Sequence, residues 1–245
     1  MKLSVITLSW DNIDYTKAFV KSIRGNTSLH YELIIVDNGS ETKTQKWIEE
    51  NADKSLLFSE NQGFSKGFNE GLRISQGEYV MMANNDTEFP PDWDIKLVET
   101  FENYPKAGIV SPVYTSGRKS ALRYKVGKKI IKIFPFRKYP SAVAFFMKRE
   151  ELINKFGGWP EEYKIASGED ADLCFKVWKA GYKILIDERV LIHHEGKITS
   201  TSKLDDWQKH FRINSRQFKK KWFYYFYFPY LAAFTENIRR LKIYE

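Results

Sequence analysis

A chain of 245 residues, 42% of them hydrophobic, has the length and apolar content of one large globular domain, or of one domain with an appendage. The single cysteine, Cys174, excludes an intrachain disulfide framework and fits a reducing compartment. No apolar run reaches the roughly 18 to 20 residues of a membrane-spanning helix, and residues 1–8 are too short and too quickly polar for a secretory signal. The expectation is a cytoplasmic chain, soluble or peripheral on the inner face of the cytoplasmic membrane.

Strand-like and helix-like segments alternate from the start. Lys2–Leu8 and Glu32–Val36 are short β-rich runs, each ending at a polar turn, SWDN and DNGS. Ile13–Arg24 between them has helical spacing of Ala18, Phe19 and Ile23. Lys43–Glu50 reads as a helix, Leu56–Phe58 as a strand, Ser65–Ser75 as a helix and Glu78–Ala83 as a buried strand running into NNDTEFPPDW. Strands separated by helices of this length predict parallel βαβ units and an open sheet covered on both faces. The polar clusters at 9–12, 37–40 and 84–88 follow strands and should converge where such sheets bind ligands.

After Pro112 the pattern loosens. Ser141–Met147 reads as a strand, Glu150–Phe156 as a helix stopped by Gly157 and Gly158, and Glu169–Ala180 as a helix ended by Gly181. Tyr182–Ile186 and Val190–His193 read as two strands. From about residue 203 the chain is helical, basic and aromatic, which predicts a catalytic domain over 1–202 with a helical extension, 203–245, packed on it.

Four clusters carry chemistry. Asp86, with Asn84 and Asn85 beside it, follows a buried strand and could hold a hard divalent cation such as Mg²⁺ or Mn²⁺ that bridges a diphosphate. Asn and Asp are also ordinary turn residues. Asp37, in VDNGS, could accept hydrogen bonds from a nucleobase or ribose, or simply end a strand. Glu169, Asp170 and Asp172 crowd the first turn of one helix, more acid than capping requires. A fixed carboxylate there, Asp170 in particular, could act as a general base. His193 and His194 point to opposite faces of a strand, so at most one reaches the site, as a metal ligand or diphosphate donor.

Taken in order, VITLSWDN, ELIIVDNGS, NQGFSKGFNEGL, NNDTEFPPDW, FGGWPEEY, GEDADLCFKVWKAGYKI and HHEG resemble the family 2 glycosyltransferases of the GT-A fold, particularly bacterial cell-surface polysaccharide and rhamnosyltransferase-like members. The resemblance covers about residues 1–200. It implies an α/β fold with an open, mostly parallel sheet flanked by helices, and inverting transfer of a sugar from a nucleoside diphosphate donor (a UDP- or dTDP-sugar) to a glycan or lipid-linked acceptor. Asp86 then matches the last aspartate of the DXD metal motif, with Asn84 in place of the first. Asp37 matches the residue that contacts the base, and Asn61 and Asn69 the donor-side polar loop. Asp170, with Glu169 beside it, matches the catalytic base, and His193 or His194 the late histidine near the metal.

Two other function classes compete. A dinucleotide-binding oxidoreductase is disfavoured because the first turn, SWDN, has no G-x-G-x-x-G. A non-catalytic nucleotide-sugar or polyanion binding module on the same fold stays open. The net charge of +8 is concentrated in residues 118–138 and in Arg216, Lys219, Lys220 and Lys221, which run into WFYYFYFPYLAAF. That second cluster predicts contact with a membrane surface rather than nucleic acid. The oligomeric state stays open.

Overall fold

Apolar runs without alternation become strands buried on both faces, and this decides the architecture. A computed structural model describes residues 2–116, 127–133, 139–163, 167–196 and 207–223. Four strands in its first part, β1 (Leu3–Ser9), β2 (Tyr31–Asp37), β3 (Lys54–Leu57) and β4 (Tyr79–Asn84), lie in the order β3-β2-β1-β4 and pair in parallel. Helices α1 (Ile13–Asn26), α2 (Thr42–Asn51) and α3 (Phe64–Ile74) make the crossovers between them. The sheet continues through β8 (Ala144–Lys148), β6 (Ala107–Ser116), β9 (Lys183–His194) and the two-residue β5 (Thr87–Glu88), with β7 (Ile130–Ile133) also on β9. β8 runs antiparallel to β4 and β6, whereas β6 and β9 are parallel.

One face of the sheet is covered by α1, α2 and α4 (Trp93–Asn103), which bury Phe19, Ile23, Ile48, Trp93 and Phe101 against Val5, Leu33 and Met81. The other is covered by α3, α5 (Arg149–Asn154) and α6 (Glu169–Lys179), whose Phe68, Leu152, Leu173 and Val177 meet Ile6, Ile34 and Met82. Gly67 and Gly71 let α3 lie close on the strands, since a Cβ at either would come within 2.8 Å of Leu8 or 2.6 Å of Ile6. A third cluster forms where α7 (Trp207–Lys221) packs Phe218 and the following Trp222 against Tyr163, Ala171 and Phe175.

The α/β class, the flanked sheet and the C-terminal helix agree with the sequence reading, and two features differ. No element is predicted between Ala83 and Ser141, yet β5, α4, β6 and β7 lie there. Pro112 inside β6 hides a strand from pattern reading, because proline normally marks an edge or a bulge. A bulge is what the structure has. Pro112 pairs with Asp187 and Val113 with Leu191, leaving Glu188, Arg189 and Val190 of β9 unmatched. The two strands expected over 182–193 are therefore one bulged strand. Its polar interruption is satisfied by Arg189, which bonds Asp187, Glu99 and Thr100.

Candidate active site

The parallel register brings the predicted loops together. Ser9 lies level with Asp37 and Leu8 with Asn84, so the turns after β1, β2 and β4 open on one edge of the sheet. The first two are zipped to each other: the Asp11 N–H donates to Ser40 Oγ at 2.6 Å, and the Glu41 N–H to Asp11 Oδ1 at 3.1 Å. Asp37 is fully buried. Its Oδ2 accepts the Ser40 N–H at 2.9 Å and Gln45 Nε2 at 3.0 Å, while its Oδ1 has no partner. A buried acceptor without a donor costs roughly 1–3 kcal/mol, which a ligand N–H or O–H would recover.

The other donor-side candidates divide. Asn61 is exposed and its Oδ1 accepts the Gly63 N–H at 2.8 Å, shaping the turn into α3. Asn69 is occupied elsewhere. Its Oδ1 accepts the Trp159 N–H at 2.8 Å, and its Nδ2 donates to Trp159 O at 2.9 Å and Glu161 Oε1 at 2.7 Å. It thereby pins residues 156–163 to α3. Asn84 ends β4, and the Asn85 Nδ2 donates to Thr16 Oγ1 at 2.9 Å.

The pairing of Thr87 with His194 separates the two histidines. His194 Nε2 faces Asp86 Oδ1 at 3.3 Å, both side chains largely buried, and Asp86 Oδ2 accepts the Gly196 N–H at 3.0 Å. His194 Nδ1 is buried without a partner. His193 turns outward to Thr115 and Glu195. Asp86 and His194 are thus the pair that could hold a divalent cation and leave positions for phosphate oxygens. The oxygen–imidazole donor set fits Mn²⁺ or Mg²⁺, although no cluster of three His, Cys, Asp or Glu occurs among the described residues.

Glu169 and Asp170 open α6 behind two successive left-handed residues, Ser167 (φ 53) and Gly168 (φ 117). Asp170 Oδ1 accepts the Ala171 N–H at 2.7 Å, and the backbone N–H groups of Gly168 and Ala142 lie near enough to favour its ionised form. Ala142 precedes Val143, whose carbonyl accepts the Asn84 N–H at 3.0 Å, so Asp170 lies near the end of β4, two residues before Asp86. Burial raises the Asp170 pKa despite those donors. Burial and then the charge of Asp170 push Glu169 up to about 8. The third acid behaves differently. Residues two apart on a helix face opposite ways, and Asp172 turns inward, where Oδ1 accepts Trp222 Nε1 at 2.7 Å and Oδ2 pairs with Lys221.

This placement bears on the tail. Trp222 is 5% exposed, so its ring is packed inside, and Lys221 is ion-paired to Asp172 and Glu162. Residues 224–234, the 202/203 boundary and Arg118, Lys119, Arg123, Lys125, Arg137 and Lys138 lie outside the described residues. Sequence reasoning passed over Asn214, Glu162 and Gln45, polar residues whose partners are remote or have no motif of their own.

The family model for glycosyl transferase family 2 matches residues 4–158, which stops short of Asp170 and His194. An uncharacterized protein of Sinorhizobium fredii is 28% identical over 90% of this chain and 27% of its own length. A glucosyl-dolichyl phosphate glucuronosyltransferase of Haloferax volcanii is 32% identical over 44% of this chain and 36% of its own. The chain thus spans about a quarter to a third of those relatives. Among solved structures, GalNAc-T7 with UDP, GalNAc and Mn²⁺ superposes with a TM-score of 0.72 at 15% identity, over 93% of this chain and 50% of that one. Staphylococcus aureus TarS 1–349 in complex with UDP-GlcNAc superposes at 0.70 and 15%, over 89% and 66%. At such identities these neighbours speak for the fold alone, the GT-A arrangement.

Proposed function

We propose that this chain, which belongs to glycosyl transferase family 2, moves a sugar with inversion from a nucleoside diphosphate donor, a UDP- or dTDP-sugar, to an acceptor hydroxyl. The observation that carries this reading is the closeness of Asp170 to Ala142, which precedes Val143 and its bond to Asn84. It sets a carboxylate of raised pKa beside the strand end that bears the Asp86–His194 pair.

In the reaction read from this arrangement, ionised Asp170 takes the proton of the acceptor hydroxyl as its oxygen attacks the anomeric carbon. The bond from that carbon to the diphosphate oxygen breaks, and its electron pair leaves with the nucleoside diphosphate. A base of this kind contributes about 10²–10⁴ in rate. Asp86 and His194 would hold Mn²⁺ or Mg²⁺, which supplies charge neutralisation to the departing diphosphate. Asp37 offers its unpartnered oxygen to the base or ribose, with Asn61, Asn84 and Asn85 lining the donor side. That GalNAc-T7 and TarS carry UDP or a UDP-sugar supports a uridine donor.

The acceptor is a glycan or a lipid-linked sugar of cell-surface polysaccharide or glycolipid synthesis. Arg212, Arg216, Lys219 and Lys220 are exposed on α7 and favour an anionic surface, about 1 kcal/mol for each cation near it. The catalytic unit is assigned to 1–202 and the extension to 203–245. A screen of UDP- and dTDP-sugars with Mn²⁺, scored by nucleotide release and by thermal stabilisation, tests the reading. Stabilisation by UDP that needs Mn²⁺, with turnover of one donor, is expected. No response to any nucleotide would overturn it.

A further inference from the structure

The first turn of α6 is held from behind by a helix that lies outside the family match. Asn214 of α7 is 4% exposed, and its Nδ2 donates to the carbonyl of Ser167 at 3.0 Å. One turn and more further along, Lys221 pairs with Asp172 and with Glu162, and Trp222 donates its indole N–H to Asp172. Phe218 and Trp222 close over Phe175 with ring centroids 5.3 and 5.1 Å away. Gly168 fills the remaining gap, since a Cβ there would lie 2.9 Å from the Tyr163 ring. The backbone at 167–168 is left-handed at both residues, a conformation a non-glycine residue such as Ser167 keeps only where surrounding contacts over-determine it.

We infer that Asn214, Lys221 and Trp222 are positioning residues for the reaction: they fix the Ser167–Asp170 turn, and through it the direction of the Asp170 carboxylate toward the acceptor. The inference rests on the reading of Asp170 as the base. Asn214 sets the backbone before the base, and the Asp172 ion pair sets the rotation of α6 after it. Lys221 also ties in Glu162, in the segment that Asn69 pins to α3. The clamp therefore spans from the donor-side helix to the acid turn. A displacement of about 1 Å in such a turn costs up to 10²-fold in rate, while the donor rim, built from other loops, is untouched.

The test uses the full chain with UDP plus Mn²⁺ as the binding probe and the donor chosen by the screen for turnover. Asn214→Ala and Lys221→Met should each lower kcat about 10- to 100-fold, leave UDP affinity within about twofold, and change the pH profile of kcat. Lys221→Arg should restore most of the rate. Trp222→Phe keeps the ring and removes the donor, so it carries the test if Lys221→Met fails to fold. In an Asp170→Asn background Lys221→Met should have no further effect. If Asp170→Asn leaves turnover intact, the base reading itself fails. If Asp170→Asn is inactive but Asn214→Ala, Lys221→Met and Trp222→Phe keep normal kcat, or lose UDP affinity in parallel, the clamp fails alone.

Discussion

The donor rim, made of the turns after β1, β2 and β4, and the acid turn, at the start of α6, are held in place by different means. At the donor rim, Asn38 and Asp11 are held by neighbouring turns, and Asp37 is held through Oδ2 alone, by Ser40 and Gln45: Asn38 Oδ1 takes the Gln62 N–H at 3.0 Å, and its own N–H donates to Ser9 O at 2.7 Å. Once β1, β2 and β4 pair in register, these groups are in place. The acid turn depends on partners 47 to 50 residues away in sequence and carries two adjacent carboxylates whose burial favours their neutral forms. On the proposed function, donor binding rests on contacts between neighbouring turns, and the chemistry rests on packing from the C-terminal helix.

The largest break in that comparison should come from Asp170→Asn. It is expected to lower turnover by about 10²–10⁴ and leave UDP affinity nearly unchanged, because only the proton acceptor is lost. Steady-state kinetics beside calorimetric UDP titration separate the two quantities. A variant retaining more than about a tenth of the rate would move the role to Glu169.

Asp86→Ala or His194→Ala should act on the other side, weakening UDP binding about 10- to 100-fold in Mn²⁺ and little in chelator. His193→Ala, whose ring faces Thr115 and Glu195, should bind UDP as the parent does. Equal losses for both histidines would blur the distinction the strand register makes.

Asn69→Ala sharpens the comparison from within the donor half. It leaves the Trp159 N–H without its acceptor, which should destabilise the fold by about 1–3 kcal/mol in a denaturant titration. UDP affinity should scarcely change. A selective loss of affinity would return Asn69 to the donor loop.

The parallel units and their converging ends were legible because βαβ periodicity is local, and Asp37, Asp86 and Asp170 stood out at its punctuation. The Trp159 contact of Asn69 was not legible for a physical reason: an amide in a polar motif looks the same in sequence whether it meets a ligand or a backbone 90 residues away. The choice between His193 and His194 needed the Thr87–His194 pairing, and β6 was hidden by Pro112, which stands where its register against the bulged β9 shifts. In sequence Asp172 counts only as one acid in a crowded first turn, and its inward partners Lys221 and Trp222 lie too far along the chain to be read from it.

The smallest expected effect concerns stability rather than rate. Burial raises the pKa of Glu169 from its ordinary 4.5 to about 8 and also raises that of Asp170. Between pH 4.5 and about 8 the folded chain holds a proton on Glu169 that the unfolded chain has lost. Stability therefore falls as pH rises through that window. A base must be ionised to act, so turnover should climb as pH rises through the raised pKa of Asp170. Glu169→Gln removes a titrating group without removing Asp170. Its melting temperature relative to the parent should be lowest near pH 4 and rise steadily toward pH 8, in a thermal-shift series at constant ionic strength. A difference independent of pH would mean that Glu169 is ionised throughout, and that the acid turn is no more strained than the donor rim.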